Sequence, residues 1–483
     1  MLRSGIYNIA SVAIRTVLSV ITIPFLIRSL GLDDYGLWLF VSSLVGLIGF
    51  MELGLSTAAA YFVSHDLAAE DDKLLSASLI ALGIIAALLC IIVIIVVWIS
   101  AGIVLFYFVG LSDDDHIIAL RSLQIGAIVV ALRILQGPLI GLKQALQQYL
   151  LTSLLISIQA VIINTGLIIV AWFGGGIDDL MLWSALSVAS MTIIHAIFAS
   201  WLLRGHRICF IWDQKHIRDV TRYSATTWAA SFGGILFSQG DRVIIGTLLG
   251  TQILAIYGVI INVANQINTL AAWLIQPLLP SLSANLTNSY QKDTIKENIR
   301  LSLQTCTVLI IFLGATLICF APELLIIIIN RQASASEIFA LQIAVIIYSI
   351  YSINSIGYYT LLGLNRTTIF MLIQILSGLI SLALVALGAY FFGLLGAVGG
   401  NIGYWGVFLL TTYGMYYLNI RRHEWVSWIT LPLLGFFVLI FALLLSSDNI
   451  FLRISILLIV TTMILLWFIS KNRDIIDILR RSI

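Results

Sequence analysis

Charged side chains are scarce in this chain of 483 residues. Asp, Glu, Lys and Arg make up only 10% of it, against about 25% in an ordinary soluble domain, whereas 60% of the residues are hydrophobic. Folding buries only about three quarters of the surface of a chain this long, so a water-soluble globule would leave much of that apolar surface exposed. The hydrophobic fraction also excludes an intrinsically disordered chain. The composition therefore predicts a protein that crosses a membrane many times.

Cysteine and histidine are scarce too, and neither forms a ligand pattern. The four cysteines include no Cys-x-x-Cys pair, the six histidines have no metal-ligand spacing, and there is no Gly-x-x-x-x-Gly-Lys-Ser/Thr phosphate loop. We therefore expect no disulfide framework, no metal site, no ATP site and no cofactor. The net charge of +2 gives no indication of a nucleic-acid partner. Because the segments between the apolar runs are short, we expect a transporter and not an enzyme, with no catalytic residue.

Fourteen apolar runs are long enough to cross a membrane as helices, which takes about 20 residues each. They start near Ile6, Gly36, Leu74, Ile117, Leu150, Leu180, Ser224, Tyr257, Leu301, Phe339, Thr368, Gly396, Val426 and Ile454. With the N-terminus in the cytoplasm, eighteen Lys and Arg residues fall on inside segments and four on outside segments, as the positive-inside rule requires. The sequence predicts an all-α polytopic membrane protein with both termini in the cytoplasm.

Three landmarks recur along the chain at a nearly constant displacement. Leu30-Gly31, followed by Tyr35-Gly36, returns as Leu249-Gly250, followed by Tyr257-Gly258, and the first glycine is displaced by 219 residues. Phe173-Gly174 returns as Phe392-Gly393 with the same displacement, and Gly141-Leu142-Lys143 returns as Gly363-Leu364-Asn365-Arg366. Each pair holds the same place in the order of spans, which indicates a duplicated set of six helices.

The repeat predicts how the chain is organised. Six spans are an even number, so both copies run in the same sense and are related by a pseudo-two-fold axis along the membrane normal. The predicted parts are an N-terminal six-helix lobe over 1–203, a cytoplasmic linker over 204–223, a C-terminal six-helix lobe over 224–420, and two extra helices with a cytoplasmic tail over 421–483. Two lobes around a central cleft are typical of a transporter.

Polar residues form stripes on otherwise apolar spans. On span 1 they recur every three or four residues, which places Asn8 and Arg15 on one helix face. A similar stripe on span 7 ends at Asp241, and span 8 carries Asn262 and Gln266. Polar groups are costly against lipid, so these faces are expected to meet protein or a water-filled cleft. Hydrogen bonding between packed helices is the alternative, and for span 8 the two interpretations stand equal.

Several short motifs resemble those of polysaccharide-precursor flippases. Residues 23–31, Ile-Pro-Phe-Leu-Ile-Arg-Ser-Leu-Gly, with the following Asp34-Tyr35-Gly36, resemble the opening signature. Glu52-Leu53-Gly54-Leu55 resembles the second-helix motif, in which Asp usually stands at the place of Glu52. Residues 240–246, 255–257 and 277–281 resemble the seventh- and eighth-helix signatures. Over most of residues 1–420 the chain is similar to the Wzx-like branch of the multidrug/oligosaccharidyl-lipid/polysaccharide exporter superfamily.

This resemblance implies a flippase for an undecaprenyl-pyrophosphate-linked oligosaccharide, such as an O-antigen or exopolysaccharide repeat unit. The substrate would pass by alternating access from the cytoplasmic to the periplasmic leaflet of a bacterial inner membrane, the step that precedes lipopolysaccharide or exopolysaccharide assembly. The implied partners are this lipid-linked substrate and membrane lipids, with a polysaccharide polymerase and a chain-length regulator as further candidates. By analogy with related lipid II flippases, spans 13 and 14 would form a groove for the lipid tail.

Two other activities of the same superfamily remain alternatives. A cation-coupled drug antiporter usually has acidic residues in span 1, where this chain has Arg15 and no acid. A lipid II flippase is expected to have Arg-rich first helices, whereas span 2 here carries only Glu52. An anionic lipid-linked oligosaccharide therefore fits the sequence better than either.

The candidate substrate-binding residues are intramembrane cations and polar residues of the predicted cavity, namely Arg15, Arg133, Arg242, Asn8, Asn262 and Gln266. Arginine suits a pyrophosphate because its planar fork donates two parallel hydrogen bonds. The alternative roles are a structural ion pair for Arg15 or Arg242 and snorkelling to the membrane surface for Arg133.

The candidate ion-coupling residues are Asp241 and Glu52, which are the acids deep within spans. A carboxylate in a low-dielectric environment either pairs with a cation or takes up a proton. These acids could therefore sense an H⁺ or Na⁺ gradient, which would make H⁺ or Na⁺ the coupling ion. In-lobe pairing with a neighbouring arginine is the equal alternative.

Overall fold

The computed structural model describes residues 2–49, 51–106, 113–235, 239–275, 292–364, 366–428 and 450–471, together with positions 430, 433, 437 and 440. Within these ranges every regular element is a helix and there is no strand. Nine of the described helices are long and apolar enough to cross a membrane, and residues 17–30 and 451–466 are shorter apolar helices. The predicted all-α polytopic membrane class is confirmed.

The chain divides into two compact units, of which unit 1 comprises residues 1–258 and 328–330. Its helices are α1 (Leu2–Leu30), α2 (Leu32–Gly49), α3 (Met51–Ala68), α4 (Asp72–Phe106), α5 (Asp113–Ala145), α6 (Tyr149–Trp172), α7 (Ile177–Leu202), α8 (Gln214–Ile235), α9 (Asp241–Leu249) and the start of α10 (Thr251–Ile275). Helix α5 is central, because it packs against α2, α3, α4, α6 and α7. Its Gly141 lies against the Ser56 and Ala59 backbone and side-chain atoms of α3, where a larger residue would collide.

Unit 2 comprises residues 259–327 and 331–483. It contains the rest of α10 and α11 (Lys292–Cys319), α12 (Ala321–Ile329), α13 (Ala335–Ile353), α14 (Ser355–Gly363), α15 (Thr367–Gly400), a 3₁₀ helix (Asn401–Val407), α16 (Phe408–Tyr417) and α17 (Ile450–Lys471). Helix α13 packs against α11 and α15, α14 packs against α16, and α17 lies on α11. The predicted count of fourteen spans and the lobe boundaries stay predictions, since most of residues 429–449 in span 13 lie outside the described residues.

Four described glycines have a positive φ angle, and they are landmarks of the sequence repeat. The angles are 86° at Gly31, 81° at Gly174, 81° at Gly250 and 58° at Gly393. This backbone conformation is cheap only for glycine, which is why glycine so often ends a helix. Gly31, Gly174 and Gly250 separate consecutive helices, and Gly393, the counterpart of Gly174, interrupts α15 and divides it into two helical arms. Both glycine pairs displaced by 219 residues therefore share a backbone conformation as well as a sequence.

The apolar segment 368–417 is a hairpin, because the chain reverses at Gly393. On the returning arm, Gly400, Gly403 and Gly406 lie against the opposite arm near Val385, Ser381 and Ser377, respectively. Glycines at every third position line one face of a 3₁₀ helix, which has three residues per turn. Small residues on this face let the two backbones approach closely, as in other membrane helix pairs. The hairpin accounts for predicted spans 11 and 12.

Candidate functional site

The predicted cations all lie in unit 1. Arg15 is an exposed side chain on α1, whereas Arg133 on α5 and Arg242 on α9 are half-buried. Asn8 and Glu52 lie on α1 and α3, but their side chains lie outside the described residues. The roles assigned to these five residues stay predictions.

The predicted polar residues of span 8 lie in unit 2, on helix α10. Asn262 and Gln266 are half-buried, and the Gln266 amide donates to the Asn262 backbone oxygen at 3.1 Å. This bond lies within one helix, so it satisfies the Gln266 amide locally without a partner helix. A cavity shared by these residues and the cations of unit 1 stays a prediction.

Asp241 is the acid whose surroundings the structure defines. Its side chain is only 3% exposed. The Tyr257 hydroxyl donates to Oδ2 at 2.8 Å, and the Arg242 backbone N–H donates to Oδ1 at 2.8 Å. Tyr257 also belongs to the repeated Tyr-Gly motif, so a residue of the sequence repeat holds this acid in place.

The helix starts that follow the two equivalent turns contact each other within unit 1. Gly36 of α2 lies against the Thr251 backbone, and Gly258 of α10 lies against the Leu39 side chain. Any larger residue at either glycine would collide with these atoms. The two landmark motifs therefore pack reciprocally, next to the Asp241–Tyr257 hydrogen bond.

A buried Lys143–His195 pair is a feature that sequence reasoning missed. Lys143 of α5 and His195 of α7 are both fully buried, and Nζ lies 2.7 Å from Nδ1. Among the described residues no carboxylate lies within salt-bridge distance of this lysine, and His195 Nε2 has no hydrogen-bond partner there. In the sequence, Lys143 stood out only as a residue of the repeat and as one of the positive charges expected on the cytoplasmic side. The available signal was His195, a lone histidine in the middle of an apolar helix.

Residues of the predicted linker 204–223 contact helices α3 and α4. Buried Ser78 donates to the Asp66 carboxylate, and its oxygen lies 2.6 Å from His216 Nε2 at the start of α8. Asp72 accepts from His206 at 2.9 Å in the same region. A hydrolytic triad needs the histidine between serine and carboxylate, whereas here the serine lies between the other two. The cluster therefore holds the linker in place and does not have the order of a nucleophilic triad.

Ion pairs at the ends of membrane-spanning segments connect neighbouring elements of unit 2. Lys296 lies 2.5 Å from Glu424, and this hydrogen bond lowers the pKa of the Glu424 carboxyl. Arg331 lies 2.6 Å from Glu337, and this hydrogen bond raises the pKa of the Arg331 guanidinium. Such contacts fix helix ends and do not form a ligand site.

Unit 2 also contains a polar cavity of about 240 Å³. We call it the tyrosine–amide cavity and define it by Asn268, Tyr351, Asn354, Ser355, Tyr358 and Gln374. Sequence reasoning missed it, because tyrosine was counted with the apolar residues. The signal was the spacing: Asn354 and Ser355 lie three and four residues after Tyr351, and Tyr358 lies four and three residues after them, so all four share one helix face.

An apolar groove of about 400 Å³ runs between α11 and α17. Its lining is almost wholly apolar and includes Val308, Ile311, Phe312, Ile464, Leu465 and Phe468. Buried Arg453 secures α17 beside it, because the guanidinium donates to the Cys319 backbone oxygen at 2.5 Å and to Glu323 at 2.8 Å. The groove follows span 14, one of the two spans for which the resemblance implied a lipid-tail site.

The comparisons with known proteins agree on the class of the molecule. The family model described as polysaccharide biosynthesis protein matches residues 1–286, and none of the curated proteins matches the chain. Among solved structures, the lipid II flippase MurJ in an inward closed conformation has a TM-score of 0.72 at 16% identity and covers 99% of this chain and 100% of its own.

Two multidrug resistance transporters of the MATE family are also similar. The inward-facing transporter has a TM-score of 0.67 at 12% identity, with 86% of this chain and 98% of that chain covered. The outward-facing one has a TM-score of 0.61 at 13% identity, with 88% and 96% covered. At these identities the likeness concerns the fold alone, which is the all-helical fold that MurJ and the MATE transporters share.

Proposed function

Because the chain belongs to the polysaccharide biosynthesis protein family, we propose that this membrane flippase translocates an undecaprenyl-pyrophosphate-linked oligosaccharide. The oligosaccharide is an O-antigen or exopolysaccharide repeat unit, and it moves from the cytoplasmic to the periplasmic leaflet of a bacterial inner membrane. The two predicted six-helix lobes act by alternating access, and a polymerase then receives the exported repeat unit.

One observation supports a lipid-linked substrate over a drug. MurJ, which is named for a lipid-linked substrate, aligns with 99% of this chain, whereas the inward-facing MATE transporter aligns with 86% although 98% of its own length is used. Part of this chain therefore has no counterpart in the MATE transporter, whereas MurJ has a counterpart for almost all of it. A drug exporter has no need of extra membrane helices for a polyprenyl tail.

The groove between α11 and α17 also supports a lipid-linked substrate. A polyprenyl tail needs an apolar path beside the protein, and this groove is lined by aliphatic and aromatic side chains. A pyrophosphate head group needs cations within the membrane, and Arg15, Arg133 and Arg242 are the candidates. Head and tail thus have distinct environments in the same chain.

The proposal is tested with purified protein in liposomes that carry a fluorescent undecaprenyl-pyrophosphate-linked oligosaccharide in both leaflets. A membrane-impermeant glycosidase removes the label from the outer leaflet only. We expect the protected inner-leaflet pool to become accessible when the protein is present and to stay protected in protein-free liposomes. Transport of labelled lipid II with no transport of the oligosaccharide lipid would contradict the proposed substrate.

A further inference from the structure

The tyrosine–amide cavity of unit 2 has the chemistry of a sugar site. We propose that it binds one neutral sugar ring of the translocated head group, an inference that rests on the proposed function and names the part of the substrate that unit 2 recognises. The cavity lies at a junction between helices, and its described lining combines amide groups, tyrosine rings and no charged side chain.

The cavity lies where two membrane helices depart from regular α geometry. Helix α13 ends at Ile353 and α14 begins at Ser355, so Asn354 occupies the junction. The 3₁₀ helix Asn401–Val407 supplies another wall through Val407. A 3₁₀ run longer than about three or four residues is uncommon, and within a helix it often marks a functional hinge or a strained sequence. Interrupted helices line the binding sites of many transporters.

Asn354 supplies an unused hydrogen-bond donor at this junction. Its side chain is 3% exposed, and its Oδ1 accepts from the Thr411 hydroxyl at 3.1 Å. The other end of the amide, Nδ2, is buried and has no partner among the described residues. The Thr411 bond fixes which way the amide points. A buried donor without a partner is unfavourable, so a ligand acceptor in the cavity would relieve that cost.

Neighbouring polar groups are held in place by a network of their own. The Tyr404 hydroxyl donates to Gln374 Oε1 at 2.5 Å, which leaves the Gln374 NH₂ group as a further donor. Tyr351 contacts the side chains of both Asn268 and Tyr404, and the Tyr351 and Tyr404 rings lie 4.9 Å apart. Amide donors are therefore positioned before any ligand arrives, which lowers the entropic cost of binding.

Aromatic rings complete the lining. Tyr351, Tyr358 and Tyr359 face the cavity, and the Tyr358 ring is fixed by an edge contact to Phe370 at 4.9 Å. A sugar ring has an apolar C–H face and hydroxyl groups around its edge. Tyrosine is suited to such a ligand because it offers a rigid apolar surface with little loss of conformational entropy.

The absence of charge in the lining separates a sugar from the other parts of the substrate. None of the described lining residues is charged, so the pyrophosphate would lack a counter-charge there. The amides and hydroxyls would lose hydrogen bonds against a polyprenyl tail. A cation is disfavoured by the Asn354 NH₂ group, which presents hydrogen and not oxygen. The cavity has a volume of about 240 Å³. Pockets for drug-sized ligands measure about 300–1,000 Å³, so this smaller cavity suits a single sugar ring.

Binding is tested on the full-length protein in nanodiscs with the free repeat-unit oligosaccharide that mild acid releases from the host's lipid carrier. Saturation-transfer difference NMR should show transfer concentrated on one sugar residue. We expect Asn354→Asp, which keeps the acceptor for Thr411 but replaces the free donor, to weaken binding at least tenfold. Asn354→Ala should do the same. Tyr358→Leu should also lose at least tenfold, whereas Tyr358→Phe keeps the ring and should stay within about threefold of wild type.

The matched control is Tyr413→Leu, a change of an exposed tyrosine on α16 that is not among the cavity residues. It should leave binding unchanged, and thermal unfolding identifies any variant that fails to fold. Wild-type protein that shows no saturation transfer, or unchanged binding in both Asn354 variants, would overturn the inference. So would Na⁺-dependent stabilisation that Asn354→Asp strengthens, since this would make the cavity a cation site.

The liposome assay separates this inference from the proposed function. If wild-type protein translocates the oligosaccharide lipid but the free oligosaccharide does not bind, the sugar site is wrong and the flippase remains. If wild-type protein translocates no oligosaccharide lipid, the proposed function fails whatever the NMR experiment shows.

Discussion

The buried Lys143–His195 pair predicts that its two single substitutions have unequal effects on stability. Both side chains are fully buried, and the Nζ–Nδ1 contact of 2.7 Å joins the lysine to an imidazole ring and not to a carboxylate. Removing one partner of a buried charge costs about 3–5 kcal/mol, because the remaining charge is left without compensation. Replacing both partners of a buried polar pair by well-packed apolar side chains is neutral or stabilising by about 1–4 kcal/mol.

We therefore expect His195→Leu to lower the free energy of unfolding by about 3–5 kcal/mol. In Lys143→Met, the gain from removing the ammonium is offset by about 1–3 kcal/mol for the imidazole nitrogen that loses its hydrogen bond. That variant should stay within about 1 kcal/mol of wild type. The double variant leaves neither polar group behind and should be more stable than wild type by about 1–4 kcal/mol.

The measurement is denaturant unfolding of the purified protein in detergent micelles, followed by tryptophan fluorescence. Lys73→Met is the control, because Lys73 is exposed and its replacement should change stability by less than about 0.5 kcal/mol. If Lys143→Met destabilises the protein more than His195→Leu does, the ammonium is a net source of stability and the predicted order of the two variants is wrong. The liposome assay on the same variants shows separately whether either group takes part in transport.

The sequence was sufficient to predict the class of the protein and to identify, as landmarks of the repeat, four glycines at which its helices end or break. Low charge and long apolar runs require a bilayer, and inside a bilayer the backbone must form helices because no water satisfies its hydrogen bonds. Gly31, Gly174, Gly250 and Gly393 were identified from their spacing alone, and all four have positive φ. A glycine that ends a helix is dictated by local sterics, so the sequence was enough to find it.

Burial of individual polar groups was not predictable in the same way. Lys143 lies in the last turn of α5 and would be a surface charge on an isolated helix, but α7 packs over it and brings His195. The tyrosine–amide cavity depends on α10, α13, α14, α15 and the 3₁₀ helix together. One helix face is visible in a sequence, whereas the faces that cover it are set by packing between distant segments.

The remaining predictions concern the hairpin of residues 368–417 and the candidate site of unit 1. Gly403→Ala should lower the free energy of unfolding by about 1–3 kcal/mol, because the added Cβ would lie 2.7 Å from the Ser381 Cα, whereas Gly399→Ala meets open space and should not lower it; equal effects in detergent unfolding would contradict the packing argument. Arg15→Ala and Arg15→Gln should abolish surface-polysaccharide export at normal protein level, Arg15→Lys should retain part of it because the charge remains without the planar fork, and full export by Arg15→Ala would remove this residue from the mechanism. Asp241→Asn keeps an acceptor for the Tyr257 hydroxyl, which now bonds the carboxylate at 2.8 Å, so the fold should survive while the charge is lost. If Asp241 couples transport to an ion, this variant should still bind the oligosaccharide lipid but lose the acceleration that an imposed pH or Na⁺ gradient gives wild-type liposomes. An unchanged response to both gradients would make the buried carboxylate a structural partner of Tyr257 at the contact between the two repeated turns.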